Sequence, residues 1–225
     1  MPRLENRHSL PTRLCHWLNV PVLGVMAWSG IAISASKAPY TIKIGGRTLL
    51  TLFPEIAFRE LDMPVLPTAM GWHFTFAWLL FLNGGLYLAW TVGSGGWRTI
   101  LPRRGTLREA GRVVWNDLGF AKTPPDRTGT YNGAQKIAYS IAIGMGIGLV
   151  LTGLAIFRPV QLGWLTRILG GYQMARAEHF WLTMLMFVFV AIHVLQVLRA
   201  GWNTLRSMIL GFEVVDETEV ARDPS

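Results

Sequence analysis

Four stretches of this chain are apolar for long enough to cross a bilayer, and this constrains the fold more than any other feature. Roughly 20 residues of helix span the hydrocarbon core, and a segment in lipid must satisfy its own backbone polar groups. The stretches cover residues 10–33, 69–92, 137–157 and 177–200, and none carries Asp, Glu or Lys in its middle. They predict an all-α fold, a four-helix transmembrane bundle forming a single membrane domain over residues 1–225. Glycines at 144, 146, 148 and 153 in the third stretch allow helices or a flat ligand to approach closely.

Composition agrees with this reading. Charged residues make up 15% of the chain, against about 25% in soluble domains. Ten Trp suit a chain with two membrane–water interfaces. In a soluble protein a net charge of +8 would suggest nucleic acid. Here the basic residues gather in the loops, so they signal topology and no nucleic-acid partner is expected. The first stretch follows Arg3, Arg7 and Arg13 and ends in small residues, as a signal peptide does. It is too long for the apolar core of one and is read as a span.

Lys and Arg are divided unevenly between the two sides. The N-terminal segment, the loop at 97–136 and the C-terminal tail together hold 14, and the loops at 34–71 and 158–178 hold 7. The positive-inside rule then puts both termini and the 97–136 loop of a multi-pass protein in the cytoplasm. Residues 106–118 read as a short amphipathic helix lying at the interface. The 34–71 loop, punctuated by Gly45-Gly46 and by Pro54, Pro64 and Pro67, is a docking surface on the outer side. Internal repeats and low-complexity segments are not apparent. The acidic tail from Glu213 to Asp223 is expected to be solvated.

Four of the five histidines, His16, His73, His179 and His193, fall within spans, where an ionisable group is costly and usually functional. His179 and His193 are 14 residues apart. On a helix this is a rise of about 21 Å and a rotation about 40° short of four turns, so both face nearly one side at opposite depths. The second and fourth spans start outside, which matches His73 to His179 in depth. The first starts inside, which matches His16 to His193. Two pairs at two levels are what bis-His ligation of two b-type haems requires, one imidazole on each face of each iron. The lone cysteine, Cys15, and the lack of C-x-x-C-H mean that any haem is held non-covalently. Zinc or di-iron centres need three or four ligands converging at one level, which this pattern does not offer. His8 precedes the first span and is expected to face solvent.

The chain resembles the bacterial di-haem cytochrome b family through Arg13-Leu-Cys-His-Trp17, a second-span His and H-x13-H on the last span. That family includes cytochrome b561 proteins and the cytochrome b subunits of formate dehydrogenase, nickel-iron hydrogenase and thiosulfate reductase. The resemblance covers roughly residues 8–205. It implies that His16 and His193 ligate a haem on the cytoplasmic side and that His73 and His179 ligate one on the periplasmic side. Tyr131-Asn-Gly-Ala-Gln-Lys136 resembles the stretch of the dehydrogenase and hydrogenase subunits that contacts a quinone. This implies a quinone site at Asn132 and Gly133, beside His193; the same stretch also suits a capped helix N-terminus. Arg13, Arg158, Arg176 and Arg199 are candidate partners of haem propionates or interfacial cations. Trp17, Trp72 and Trp181 are belt residues or haem packing.

The resemblance implies an electron-transfer subunit carrying electrons between a quinone pool and a periplasmic oxidoreductase subunit, of the molybdenum type. No catalytic residue of its own is expected in that role. The alternatives are a standalone superoxide:quinone oxidoreductase and a haem-free channel or scaffold.

Overall fold

The computed structural model of the protein describes residues 3–35, 40–44, 47–52, 66–117, 119–120 and 131–215. Four long helices cover the predicted spans: α1 (Leu10–Ala35), α2 (Leu66–Gly93), α5 (Gly133–Phe157) and α7 (Tyr172–Ala200). The short helices are α3 (Trp97–Ile100), α4 (Thr106–Asp117), α6 (Gly163–Ile168) and α8 (Trp202–Leu210). Two antiparallel strand pairs join them, β1 (Arg3–Asn6) with β4 (Phe212–Val215) and β2 (Tyr40–Ile44) with β3 (Arg47–Leu52).

Each long helix is long and apolar enough to cross a membrane. None of the most apolar stretch of α7 is buried, and Leu185, Ile192, Leu195 and Leu198 are exposed along it. Apolar exposure on this scale is what a lipid-facing helix carries and a water-facing one does not. Pro21 lies inside α1 and leaves the Trp17 carbonyl without its helical donor, a defect that spans tolerate.

The chain forms two compact bodies, residues 10–87 and residues 1–9 with 88–225. In the first, α1 and α2 run antiparallel, because Ser29 meets His73 while Asn83 meets Cys15 and Asn19. Asn83 is buried, and its Nδ2 donates to the Cys15 carbonyl at 2.8 Å and to Asn19 Oδ1 at 2.7 Å. Polar bonds of this kind between spans contribute ~1 kcal/mol each. The β2–β3 pair gives the predicted 34–71 loop an ordered part; Gly45, Gly46, Pro54 and Pro64 lie outside the described residues.

In the second body, α5 and α7 pack antiparallel, with Gly148 against Leu182 and Gly153 against His179. Gly144 and Gly146 have no such neighbour among the described residues. Ala155, Leu165 and Ala175 form a buried cluster where α6 folds between them. Gly171, at φ 98°, turns the chain into α7, a conformation only glycine adopts readily. The same body holds the chain's two ends. Arg7 Nε donates to Glu213 Oε2 at 2.8 Å, and Asn203 bonds both the amide and the carbonyl of Val214. One expectation is corrected here: His8 is half-buried, with its amide donating to the Gly211 carbonyl. Of the acidic tail, residues 213–215 belong to strand β4, and residues 216–223 lie outside the described residues. Pairing with β1 satisfies backbone groups that a solvated tail would give to water.

Candidate functional site

His73 is held by the helix opposite. Its Nδ1 lies 3.0 Å from Ser29 Oγ, and Ser29 Oγ donates to the Val25 carbonyl at 2.7 Å. Gly30 lies beside the same ring: a Cβ there would meet His73 Cε1 at 3.4 Å. The second body repeats the arrangement on other helices. Thr152 Oγ1 lies 2.8 Å from His179 Nδ1 and donates to the Gly148 carbonyl at 2.7 Å. A Cβ on Gly153 would meet His179 Cε1 at 3.3 Å. A hydroxyl followed by glycine therefore faces a histidine of the next span in both bodies. The hydroxyl and its histidine are 44 residues apart in one body and 27 in the other, and the sequence repeats only briefly around the hydroxyls, as Ser29-Gly30-Ile31-Ala32-Ile33 and Thr152-Gly153-Leu154-Ala155-Ile156.

His16 packs edge-on against Trp17, with ring centres 5.5 Å apart, and His193 stacks on Phe189 at 6.2 Å. Within the first body, His16 lies 13 residues from Ser29, the residue opposite His73, an axial separation of about 20 Å. Within the second, His179 and His193 lie 14 residues apart on one continuous helix, about 21 Å. Each body thus offers two imidazoles with the same spacing along its axis. Among the described residues no three His, Cys, Asp or Glu side chains cluster as a metal site of higher ligand number.

Asn132 and Gly133 start α5. Asn132 Oδ1 accepts from the Gln135 amide at 2.9 Å, and Gln135 Oε1 accepts from the Asn132 amide at 3.0 Å, a reciprocal capping box. The Gly133 amide donates to Glu109 Oε1 of α4 at 2.8 Å. A Cβ on Gly133 would fall 2.7 Å from the Thr106 carbonyl oxygen and 2.8 Å from the Ala110 amide, so only glycine fits. The backbone donor expected at Gly133 is thereby engaged. Among the described residues the Asn132 side-chain amide nitrogen has no acceptor, which leaves it as a donor for a ligand. Asn132 and His193 lie toward the same end of this body, since the antiparallel register pairing 152 with 179 brings 193 level with about 138.

The arginines divide. Arg158 lies over the Phe157 ring, Arg176 bonds Gln173, and Arg199 Nη2 donates to the Asp117 carbonyl; Arg13 is half-buried. Trp17, Trp72 and Trp181 are all exposed, as belt residues are. Sequence reasoning missed Ser29, Thr152 and Glu109. For Ser29 and Thr152 the available signal was the match of Ser29-Gly30-Ile31-Ala32-Ile33 with Thr152-Gly153-Leu154-Ala155-Ile156; what each of the three residues faces depends on packing that a single sequence does not print.

These features define a multi-pass α-helical membrane protein with anchored imidazoles inside its spans. The chain belongs to the prokaryotic cytochrome b561 family, whose model matches residues 7–211. It is also 32% identical over 201 residues to a putative protein-methionine-sulfoxide reductase subunit, YedZ1, of Azospira oryzae, covering 88% of this chain and 93% of that relative. It is accordingly a bacterial membrane cytochrome b of electron transfer, and its family implies haem b. The residues present fit that group: imidazoles inside apolar spans, two of them with a glycine beside the ring, are the donor set a non-covalent haem takes.

Proposed function

We propose that this chain carries electrons across the membrane over two haem b groups, one held by His73 and His179 and the other by His16 and His193. The observation that carries the reading is the equal spacing: each body presents two imidazoles about 20 Å apart along its helix axis. Pairing by depth then gives two sites of two ligands each. Haem b supplies reversible one-electron exchange at its iron. The chain's own residues hold and orient the ligands, keep water from the ligand nitrogens with apolar spans, and present donors where a second substrate binds.

That substrate is a quinone, and its head group lies at the end of the second body where α5 begins. The Asn132 side-chain amide donates to a quinone carbonyl, with His193 toward the same end. The Lys and Arg asymmetry of 14 against 7 puts this end, and both termini, on the cytoplasmic face of the inner membrane. The redox partner is a periplasmic subunit of the molybdenum type, docking on the loop that contains β2 and β3. The relative's name as a reductase subunit supports a partner of this general kind.

Asn132→Asp tests the quinone role apart from the capping role. Aspartate keeps the cap oxygen but removes the amide donor. The account expects unchanged thermal stability and haem content, with quinol-driven haem reduction slowed at least tenfold. Wild-type rates in Asn132→Asp would remove Asn132 from the quinone site.

A further inference from the structure

Ser29 and Thr152 each use their single proton on their own helix. Two oxygens 2.7 Å apart, as between Ser29 Oγ and the Val25 carbonyl or Thr152 Oγ1 and the Gly148 carbonyl, repel unless a proton lies between them. The hydroxyl supplies the only one, because a carbonyl has none to give. Toward the facing ring each hydroxyl oxygen is therefore an acceptor. The proton of that contact, 3.0 Å at His73 and 2.8 Å at His179, sits on Nδ1. This assigns the Nδ1–H tautomer to both imidazoles, with the lone pair on Nε2; at His73 the Met26 carbonyl is a further acceptor for the ring.

We infer that Ser29 and Thr152 are positioning residues that fix the tautomer and ring orientation of His73 and His179 and lower the midpoint potential of the haem those two rings hold. The inference rests on the bis-histidine reading above. Its physical basis is the proton on Nδ1. A hydrogen bond from the distal ring nitrogen to an oxygen makes the imidazole a stronger donor to a metal and favours the more oxidised ion. Each hydroxyl is itself polarised by its bond to a helix carbonyl, so ring, hydroxyl and carbonyl form one chain of donors and acceptors. Gly30 and Gly153 serve the same end. A Cβ at Gly30 or Gly153 would lie 3.4 or 3.3 Å from Cε1, the carbon between the two nitrogens, so the glycines leave each ring room to keep its orientation. The device occurs twice, within a short matched stretch of each helix, Ser29-Gly30-Ile31-Ala32-Ile33 and Thr152-Gly153-Leu154-Ala155-Ile156.

The test is a redox titration of the purified full chain in detergent, read in the α-band and by electron paramagnetic resonance, with haem counted per chain. The variants are Ser29→Ala, Thr152→Val and the double variant, with Ser29→Thr and Thr152→Ser as conservative controls. The double variant is expected to keep two haems and to favour the reduced form of one of them about tenfold more than wild type does, an upward shift of 59 mV for one electron. The largest g value of that haem's ferric signal moves with it. The other haem is unchanged, and the conservative controls titrate as wild type. If the double variant does not fold, the single variants decide, each with a smaller shift in the same direction. Two haems with wild-type potentials and g values in both single variants would overturn the inference and leave the bis-histidine reading standing. A wild-type chain that does not carry two haems would overturn that reading itself.

Discussion

A histidine inside an apolar span is expensive to keep unless something holds it and something uses it. His73 and His179 are each held by a hydroxyl on the facing helix, and the other two, His16 and His193, pack against aromatic rings. Removing one ligand should therefore act at one level only. His193→Ala is expected to lose one haem together with quinone reactivity. His179→Ala is expected to lose the other haem and keep the quinone site. Haemochrome content per chain reads both, and two haems retained in either variant would break the pairing. The four histidines were legible in the sequence because an ionisable residue stands out in an apolar run. Ser29 and Thr152 were not, because serine and threonine are ordinary in spans. They gain meaning only when the register of two antiparallel helices sets them opposite a ring.

The joint between α4 and α5 shows what elements add. The amphipathic pattern at 106–118 predicts a helix, and α4 covers Thr106–Asp117. Glu109, in its first turn, caps the next span by accepting from the Gly133 amide, where a negative charge also suits the helix dipole. α5 starts at Gly133 where hydropathy predicts 137, because a capping box extends a helix through residues that are not themselves apolar. Gly133→Ala is expected to force α4 off the start of α5 and to cost about 1–3 kcal/mol. Thermal unfolding in detergent would show it as a lowered midpoint, and an unchanged midpoint would mean that α4 is loosely attached. The β1–β4 pair was not legible: four-residue strands far apart in sequence leave no periodic signal, and Arg7 and Glu213 read as solvated charges until pairing brings them to 2.8 Å.

At the scale of the whole molecule, the bilayer dictates most of the design. Four apolar helices fix the fold class, and all four were legible as spans because hydropathy over about 20 residues is the strongest signal a sequence carries. Loops carry the basic charge, and intramembrane imidazoles carry the chemistry. The equal spacing of those imidazoles in the two bodies is the central claim, since one ligand pair would serve a sensor or a store while two at different depths serve a path across the membrane. The most direct test is the pyridine haemochrome count on the purified chain, with a reduced-minus-oxidised spectrum. Two b-type haems per chain are predicted. One haem, or none, would contradict the account.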